Sequence, residues 1–228
     1  MPESIIITGA NGNLGSAVCR KLYEEGYQID AALGPGNELE DHGERLHQEP
    51  VDLMKAGKAE EFVEGSIGRR GQVSAAILLV GGFGMGHLKD TGPEQLDKMI
   101  NLNFYTAFHM VRALFPHFEE KGGGRFVLVS AKPVFHPEAG KDLFAYTLTK
   151  TMVLKMAELI NAEPTEKNIR AAVIAPSVID TPPNRKAMPD ADFSDWVPPQ
   201  RIAEAITFLL SEAGRMMAEP VLKIYHRS

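Results

Sequence analysis

The stretch Ser4-Ile5-Ile6-Ile7-Thr8-Gly9-Ala10-Asn11-Gly12-Asn13-Leu14-Gly15 decides the fold. A short β-branched run favours a strand. The glycine-rich turn follows at once, and Ala17, Val18, Leu22 and Tyr23 then recur at helical spacing until Gly26. Strand, glycine loop and helix form the setting in which glycines let the backbone approach a pyrophosphate, with a helix N-terminus supplying free N–H groups and partial positive charge. The spacing here is G-x-x-G-x-x-G rather than the commoner G-x-G-x-x-G. Alone, such a loop is also compatible with an ordinary strand-to-helix turn.

Downstream the same alternation repeats. Tyr27 to Leu33 reads as a second strand closed by Gly34-Pro35-Gly36-Asn37, and Arg45 to Val51 as a third, with Asp52-Leu53 at its end. Ala59 to Ile67 is helical. Val73 to Val80 is a continuous apolar run of the kind found in central parallel strands, and it empties into Gly81-Gly82-Phe83-Gly84-Met85-Gly86. Pro93 to Glu120 reads as one long helix or two short ones, stopped by Gly122-Gly123-Gly124. Then come a strand at Arg125 to Val129, a helix at Leu143 to Glu163 and a strand at Ile169 to Ile174. A proline-rich segment from Pro176 to Pro199 precedes a helix at Arg201 to Ser211 and a last strand at Val221 to Tyr225. Alternating strands and helices predict an α/β, doubly wound parallel sheet of Rossmann type, one domain over residues 1–228.

Composition narrows the function. The chain has 228 residues, 44% hydrophobic and 24% charged, enough for one sizeable core. A net charge of −6 argues against nucleic-acid binding. No apolar stretch approaches the ~20 residues that span a bilayer, and Met1-Pro2-Glu3-Ser4 lacks a signal peptide's basic and apolar regions. Cys19 is the single cysteine, so no internal disulfide forms and a reducing, cytoplasmic setting is expected. The seven histidines make no H-E-x-x-H or Cys/His cluster, so no metal site is expected.

Chemistry enters with Phe144-Ala145-Tyr146-Thr147-Leu148-Thr149-Lys150. Tyr146 and Lys150 stand four apart, which sets both side chains on one helix face with Cβ atoms roughly 5–6 Å apart. An ammonium beside a phenol favours the phenolate, which predicts a lowered tyrosine pKa and a group able to pass a proton. Ligands of open parallel sheets bind outside the carboxyl ends of the strands. Gly9 to Gly15, Asp52, Gly81 to Gly86, Ser130-Ala131 and Pro176 to Thr181 all fall at that edge.

Taken together, these residues resemble the short-chain dehydrogenase/reductase family over nearly the whole chain. The resemblance implies a nicotinamide dinucleotide held by Gly9, Asn11, Gly12, Asn13, Leu14 and Gly15, with Asp52 and Leu53 near the adenine and Gly81 and Gly82 after the fourth strand. It makes Tyr146 and Lys150 the catalytic pair, Lys150 also holding the nicotinamide ribose, and Asn103 the holder of a proton-relay water. Pro176, Val178 and Thr181 match the segment that contacts the nicotinamide amide, with Ser177 replacing the usual glycine. The family's serine, thirteen residues before the tyrosine, is missing: that position is Pro133. Aligned from the strand, Ala131 takes its place and Ser130 lies one residue early, where strand alternation can turn it to the wrong face. Ser130 is therefore a candidate substitute donor.

Gly81 to Gly86, Ser130-Ala131-Lys132 and the run from Asp180 to Phe193 resemble more narrowly the dihydropteridine reductase branch, which similarly lacks the serine. That likeness implies a quinonoid dihydropterin or a similar flat substrate, with Phe83 and Ala131 beside it and a lid at about 180–199 carrying Met188, Phe193 and Trp196. A carbonyl reductase or alcohol dehydrogenase using Ser130 or a water is the alternative, and a dinucleotide-sensing protein without turnover is a third. The cofactor is NAD(H) or NADP(H). Gly34, where a ribose-binding acid would stand, is neither acidic nor basic, and no Lys or Arg lies in Ala10 to Asn13 or directly after Leu33, so the balance leans to NADH. Surplus apolar residues on the 93–120 and 143–163 helices predict a homodimer or homotetramer.

Overall fold

The computed structural model describes residues 3–36, 38–39, 43–163 and 167–228. Met1, Pro2 and Asn37, which belong to two of the sequence expectations, lie outside the described residues. The elements run β1 (Ser4–Thr8), α1 (Asn13–Glu24), β2 (Gln28–Leu33), β3 (Leu46–Pro50), α2 (Ala56–Arg70), β4 (Ala75–Leu78), α3 (Pro93–Ile100), α4 (Thr106–Lys121) and β5 (Gly123–Val129). There follow two short helices, α5 (Lys132–Phe135) and α6 (Pro137–Gly140), then α7 (Phe144–Ala162), β6 (Asn168–Pro176), α8 (Pro182–Ala187), α9 (Pro199–Leu210), α10 (Glu212–Arg215) and β7 (Val221–Ile224).

Among the described residues the seven strands all run parallel, in the order β3-β2-β1-β4-β5-β6-β7. The chain works outward from β1 to β3, then returns to lay β4 on the other side of β1. Such a reversal, here at the carboxyl ends of β1 and β4, is the usual ligand position in sheets of this kind.

Strand alternation divides the core into two layers. Ile6, Leu78, Phe126 and Leu128 face α2, α4 and α7, whose Phe62, Met110, Leu114 and Val153 fill that side. Ile5, Ile7, Ile77 and Val127 face α1 and α9, packed by Val18, Leu22, Ile202 and Ile206. Cys19 of α1 is 1% exposed within this second layer, and burial pushes its thiol up to about 12.

One buried carboxylate is paired on both of its oxygens. The Asp30 carboxylate on β2, fully buried, receives Arg69 Nε at 2.7 Å and Arg70 Nε at 2.5 Å from the end of α2. Removing one partner of such a buried pair typically costs about 3–5 kcal/mol, because the other charge is stranded. This cross-tie fixes α2 against the edge of the sheet.

The 93–120 segment resolves the open choice between one helix and two. A π-turn at Asn101–Tyr105 separates α3 from α4, and Asn103 sits at its centre, 1% exposed. Gly122 caps α4 in the left-handed conformation, while Gly123 and Gly124, expected to be part of the stop, belong to β5.

Candidate active site

The glycine loop is shaped by close approach. Gly12 N–H donates to the Gly9 carbonyl at 3.0 Å, and Ser16 N–H returns to the Gly12 carbonyl at 2.9 Å, making Gly12 the residue that opens α1. A Cβ on Gly15 would lie 2.1 Å from the Gly9 oxygen, so only glycine allows the helix to start this near the loop. Asn13 and Leu14 form the first turn, which contains no acidic residue and has no side-chain cap. The N–H groups there are left for a ligand, and the dipole favours an anion. Those features fit a dinucleotide pyrophosphate. Asn11 points elsewhere: its amide bonds both backbone groups of Gly34.

Asp52 follows β3, its Oδ1 accepting from Met54 N–H at 3.2 Å and its Oδ2 standing 3.2 Å from Lys55 Nζ. Leu53 is buried, and its carbonyl lies 3.0 Å from His109 Nδ1.

Between β4, β5 and α7 the structure brings the chemistry together. A Cβ on Gly81 would meet Asn103 Oδ1 at 2.8 Å and Lys150 Nζ at 3.0 Å, so this glycine lies against both. Gly82 N–H donates to Asn103 Oδ1 at 2.8 Å, and Asn103 Nδ2 donates to Thr149 Oγ1 at 3.1 Å. Thr149 Oγ1 in turn donates to the Tyr146 carbonyl. The asparagine amide thus ties the 81–82 loop to α7. Thr149 did not stand out in the sequence, although it lies on the same face as Tyr146 and Lys150.

Lys150 Nζ donates to the Val129 carbonyl at 3.0 Å and lies 6.0 Å from the centre of the Tyr146 ring. The free chain does not show the lowered tyrosine predicted from the four-residue spacing. Burial dominates both groups, pushing Tyr146 up to about 12 and Lys150 down to about 8. An ammonium turned to a carbonyl at that distance does not offset the phenol's desolvation.

Ser130 also departs from expectation. It is 1% exposed, and its hydroxyl donates to the Lys150 carbonyl at 3.0 Å. Strand alternation has turned it into the seam between β5 and α7, where it is no free donor to a substrate. Ala131, 3% exposed, opens α5 with no hydroxyl to offer.

The opposite wall carries Phe83, whose ring is 63% exposed and stands edge-on to Tyr146 with centroids 5.2 Å apart. The loop is pinned beside α7: Gly86 N–H donates to the Asp142 carbonyl at 2.8 Å, and Phe144 N–H donates back to the Gly86 carbonyl at 2.9 Å. Met85 and Leu88, exposed and apolar, extend this rim.

Pro176 closes β6. Ser177 Oγ donates to the Tyr225 carbonyl, and the Val178 carbonyl accepts from Val197 N–H. Thr181 caps α8 by accepting from Asn184 N–H at 3.4 Å, while Asp180 and Arg185 pair through two hydrogen bonds. Trp196 is buried, and Met188 is 39% exposed. Among the described residues, no group of three or more His, Cys, Asp or Glu could hold a metal ion, and no helix is long and apolar enough to cross a membrane.

Tyr146 and Lys150 thus share one helix beside the carboxyl ends of the parallel strands. Residues 3–192 match the short chain dehydrogenase family, and the chain belongs to it. Dehydrogenase/reductase SDR family member 4 of Homo sapiens is 25% identical, covering 91% of this chain and 80% of its own. Two solved structures share the fold. ElxO with NADP bound has a TM-score of 0.87 at 19% identity, covering 98% of this chain and 97% of its own. The 3-ketoacyl-(acyl-carrier-protein) reductase from Brucella melitensis complexed with NADH has a TM-score of 0.83 at 21% identity, covering 99% and 98%. The protein is thus a dehydrogenase/reductase of this family.

Proposed function

We propose that the protein reduces a flat, electron-poor heterocycle such as a quinonoid dihydropterin, with Tyr146 passing the proton. One observation carries this reading: an exposed Phe83 ring stands edge-on beside Tyr146, while neither Ala131 nor the engaged Ser130 hydroxyl can polarise a carbonyl. A ketone reductase needs a donor aimed at the developing oxyanion, worth about 2.7–4 kcal/mol when one is removed. A ring that gains aromatic character on reduction depends on it less. Phe83 offers a face or edge for such a ring to stack on.

The nicotinamide cofactor supplies the hydride when bound. Gly9, Gly12, Asn13, Leu14 and Gly15 hold its pyrophosphate, Asp52 and Leu53 its adenine end, Gly81 and Gly82 the passage to the ribose, and Lys150 the ribose hydroxyls. Pro176, Val178 and Thr181 orient the nicotinamide amide, and the 180–199 segment closes over the substrate as a lid. Asn103 holds Gly82 and Thr149 in register around Tyr146 and carries the proton-relay water. With Gly34 uncharged, NADH is favoured over NADPH. The setting is cytoplasmic, the partner a small molecule.

Assays of NADH consumption test the reading. Quinonoid dihydropterin should be turned over, simple ketones and aldehydes poorly, and Ala131→Ser should change pterin turnover only modestly. Efficient ketone reduction with no pterin turnover would return the reading to a carbonyl reductase served by an ordered water.

The same proposal includes a homodimer or homotetramer. Phe104, Phe108 and Phe115 of the α4 side and Met152 and Leu159 of α7 line an open apolar groove rimmed by Arg112, Lys155 and Glu163. Leu159 is 61% exposed, an unusual cost for a monomer. Light scattering at micromolar concentration should give at least a dimer, and Leu159→Glu should shift it toward monomer. A wild-type monomer at that concentration refutes the assembly.

A further inference from the structure

The hydrogen bonds that link the 81–82 loop to α7 have a fixed direction. Gly82 N–H can only donate, so the end of the Asn103 amide that meets it at 2.8 Å must be Oδ1. Nδ2 then faces Thr149 Oγ1 at 3.1 Å and needs an acceptor there. A hydroxyl has one proton to give. Thr149 gives its proton to the Tyr146 carbonyl at 2.9 Å, which leaves a lone pair for Nδ2. The whole order follows from one backbone N–H, and no link can be reversed alone.

Burial makes that order costly to lose. Thr149 is fully buried and Asn103 is 1% exposed, so solvent cannot replace a missing partner. A further neighbour of Nδ2, Met99 Sδ at 3.8 Å, is a weak acceptor. Turning the amide over would set Nδ2 against Gly82 N–H. It would also change the charge beside Lys150. A Cβ on Gly81 would lie 2.8 Å from Asn103 Oδ1 and 3.0 Å from Lys150 Nζ, so the amide end at Gly81 is also the end near the ammonium. An oxygen there attracts the charge, and an NH2 group would repel it.

We infer that Thr149 is a positioning residue for the nicotinamide end of the cofactor: its hydroxyl sets which way round the Asn103 amide lies and, through Asn103, holds the Gly81–Gly82 backbone beside Lys150. The inference rests on the nicotinamide-cofactor reading of the site, in which Gly81, Gly82 and Lys150 meet the nicotinamide ribose. Thr149 touches no reacting atom and acts only through Asn103.

Binding titrations separate this role from general loosening. The probes are NADH or NADPH, whichever wild type binds more tightly, and ADP, which lacks the second ribose and the nicotinamide. Thr149→Val keeps the shape without the hydroxyl. It should weaken the reduced dinucleotide by about tenfold, the scale of one buried donor left unanswered, and speed hydrogen exchange at Gly82 N–H in the free protein. ADP affinity and exchange at Gly12 N–H should stay as in wild type. Thr149→Ser returns the hydroxyl and should restore both affected properties. Thr149→Ala carries the same comparison if the valine variant does not fold. Wild-type dinucleotide affinity without the hydroxyl overturns the inference, as does unchanged exchange at Gly82. An equal loss for both probes, or an equal rise in exchange at Gly12, marks diffuse loosening and overturns it too. Wild-type protein that binds no NAD(P)H overturns the cofactor reading itself and this inference with it.

Discussion

Tyr146→Phe should lower turnover by at least about 10²-fold, the usual size of a general-acid contribution, and leave cofactor affinity nearly unchanged. The reasoning starts from geometry. The Tyr146 ring lies beside the exposed Phe83, and the Lys150 ammonium, bound to the Val129 carbonyl, lies 6.0 Å from the centre of that ring. On the proposed mechanism, removing the hydroxyl deletes the proton path and leaves the backbone and ring contacts in place. Burial holds Tyr146 at about 12, so the free protein keeps it as phenol throughout the neutral range. Reductive turnover should accordingly be level with pH there, and oxidative turnover should rise with pH. Near-normal turnover of the phenylalanine variant would remove Tyr146 from the mechanism.

Lys150→Met is expected to gain stability while losing cofactor affinity and turnover. The ammonium is 6% exposed, and its hydrogen-bond acceptor is a neutral carbonyl. Desolvation brings its pKa from 10.5 to about 8. Retaining the charge in the fold therefore costs about 3 kcal/mol. The sign follows from proton counts. Below pH 8 both folded and unfolded chains are protonated and the cost is fully present. Between pH 8 and 10.5 the folded chain sheds its proton first, and stability rises with pH. The methionine variant should thus melt higher than wild type below pH 8, with the advantage fading toward pH 10.5. Equal melting temperatures at neutral pH would mean that the buried ammonium is already compensated. Unchanged cofactor affinity would exclude the ribose-holding role. A stability sacrifice at a lysine with the proposed role would be the usual form of the trade between stability and activity.

Much of the architecture was legible because period and punctuation coincide. Ile5-Ile6-Ile7 followed by glycines admits few alternatives, and Val73 to Val80 is too apolar and too short for a surface helix. Boundaries were less legible. β4 occupies only Ala75–Leu78, because Val73 N–H turns to His117 Nε2 instead of a strand. The short helices α5, α6 and α8 begin at or beside prolines, residues that read equally well as loop. The site was legible where spacing sets geometry, as for Tyr146 and Lys150 on one helix. It was opaque where orientation and solvation decide. The direction of Ser130 depends on the register of one strand residue, and the pKa values of Tyr146 and Lys150 on a burial that four-residue spacing does not reveal. The amide bonds of Asn11 to Gly34 join residues 23 positions apart, a separation no local pattern marks.

Cys19 gives the molecule an internal reporter. A thiol that is 1% exposed and held at about 12 is inert to alkylation while α1 stays docked. Reaction requires the helix to lift from the sheet, so the labelling rate counts openings of the element whose first turn is the proposed cofactor contact. A ligand seated on that turn would slow the count in proportion to its occupancy, and the chain's single sulfhydryl could then weigh ligands without any turnover being measured.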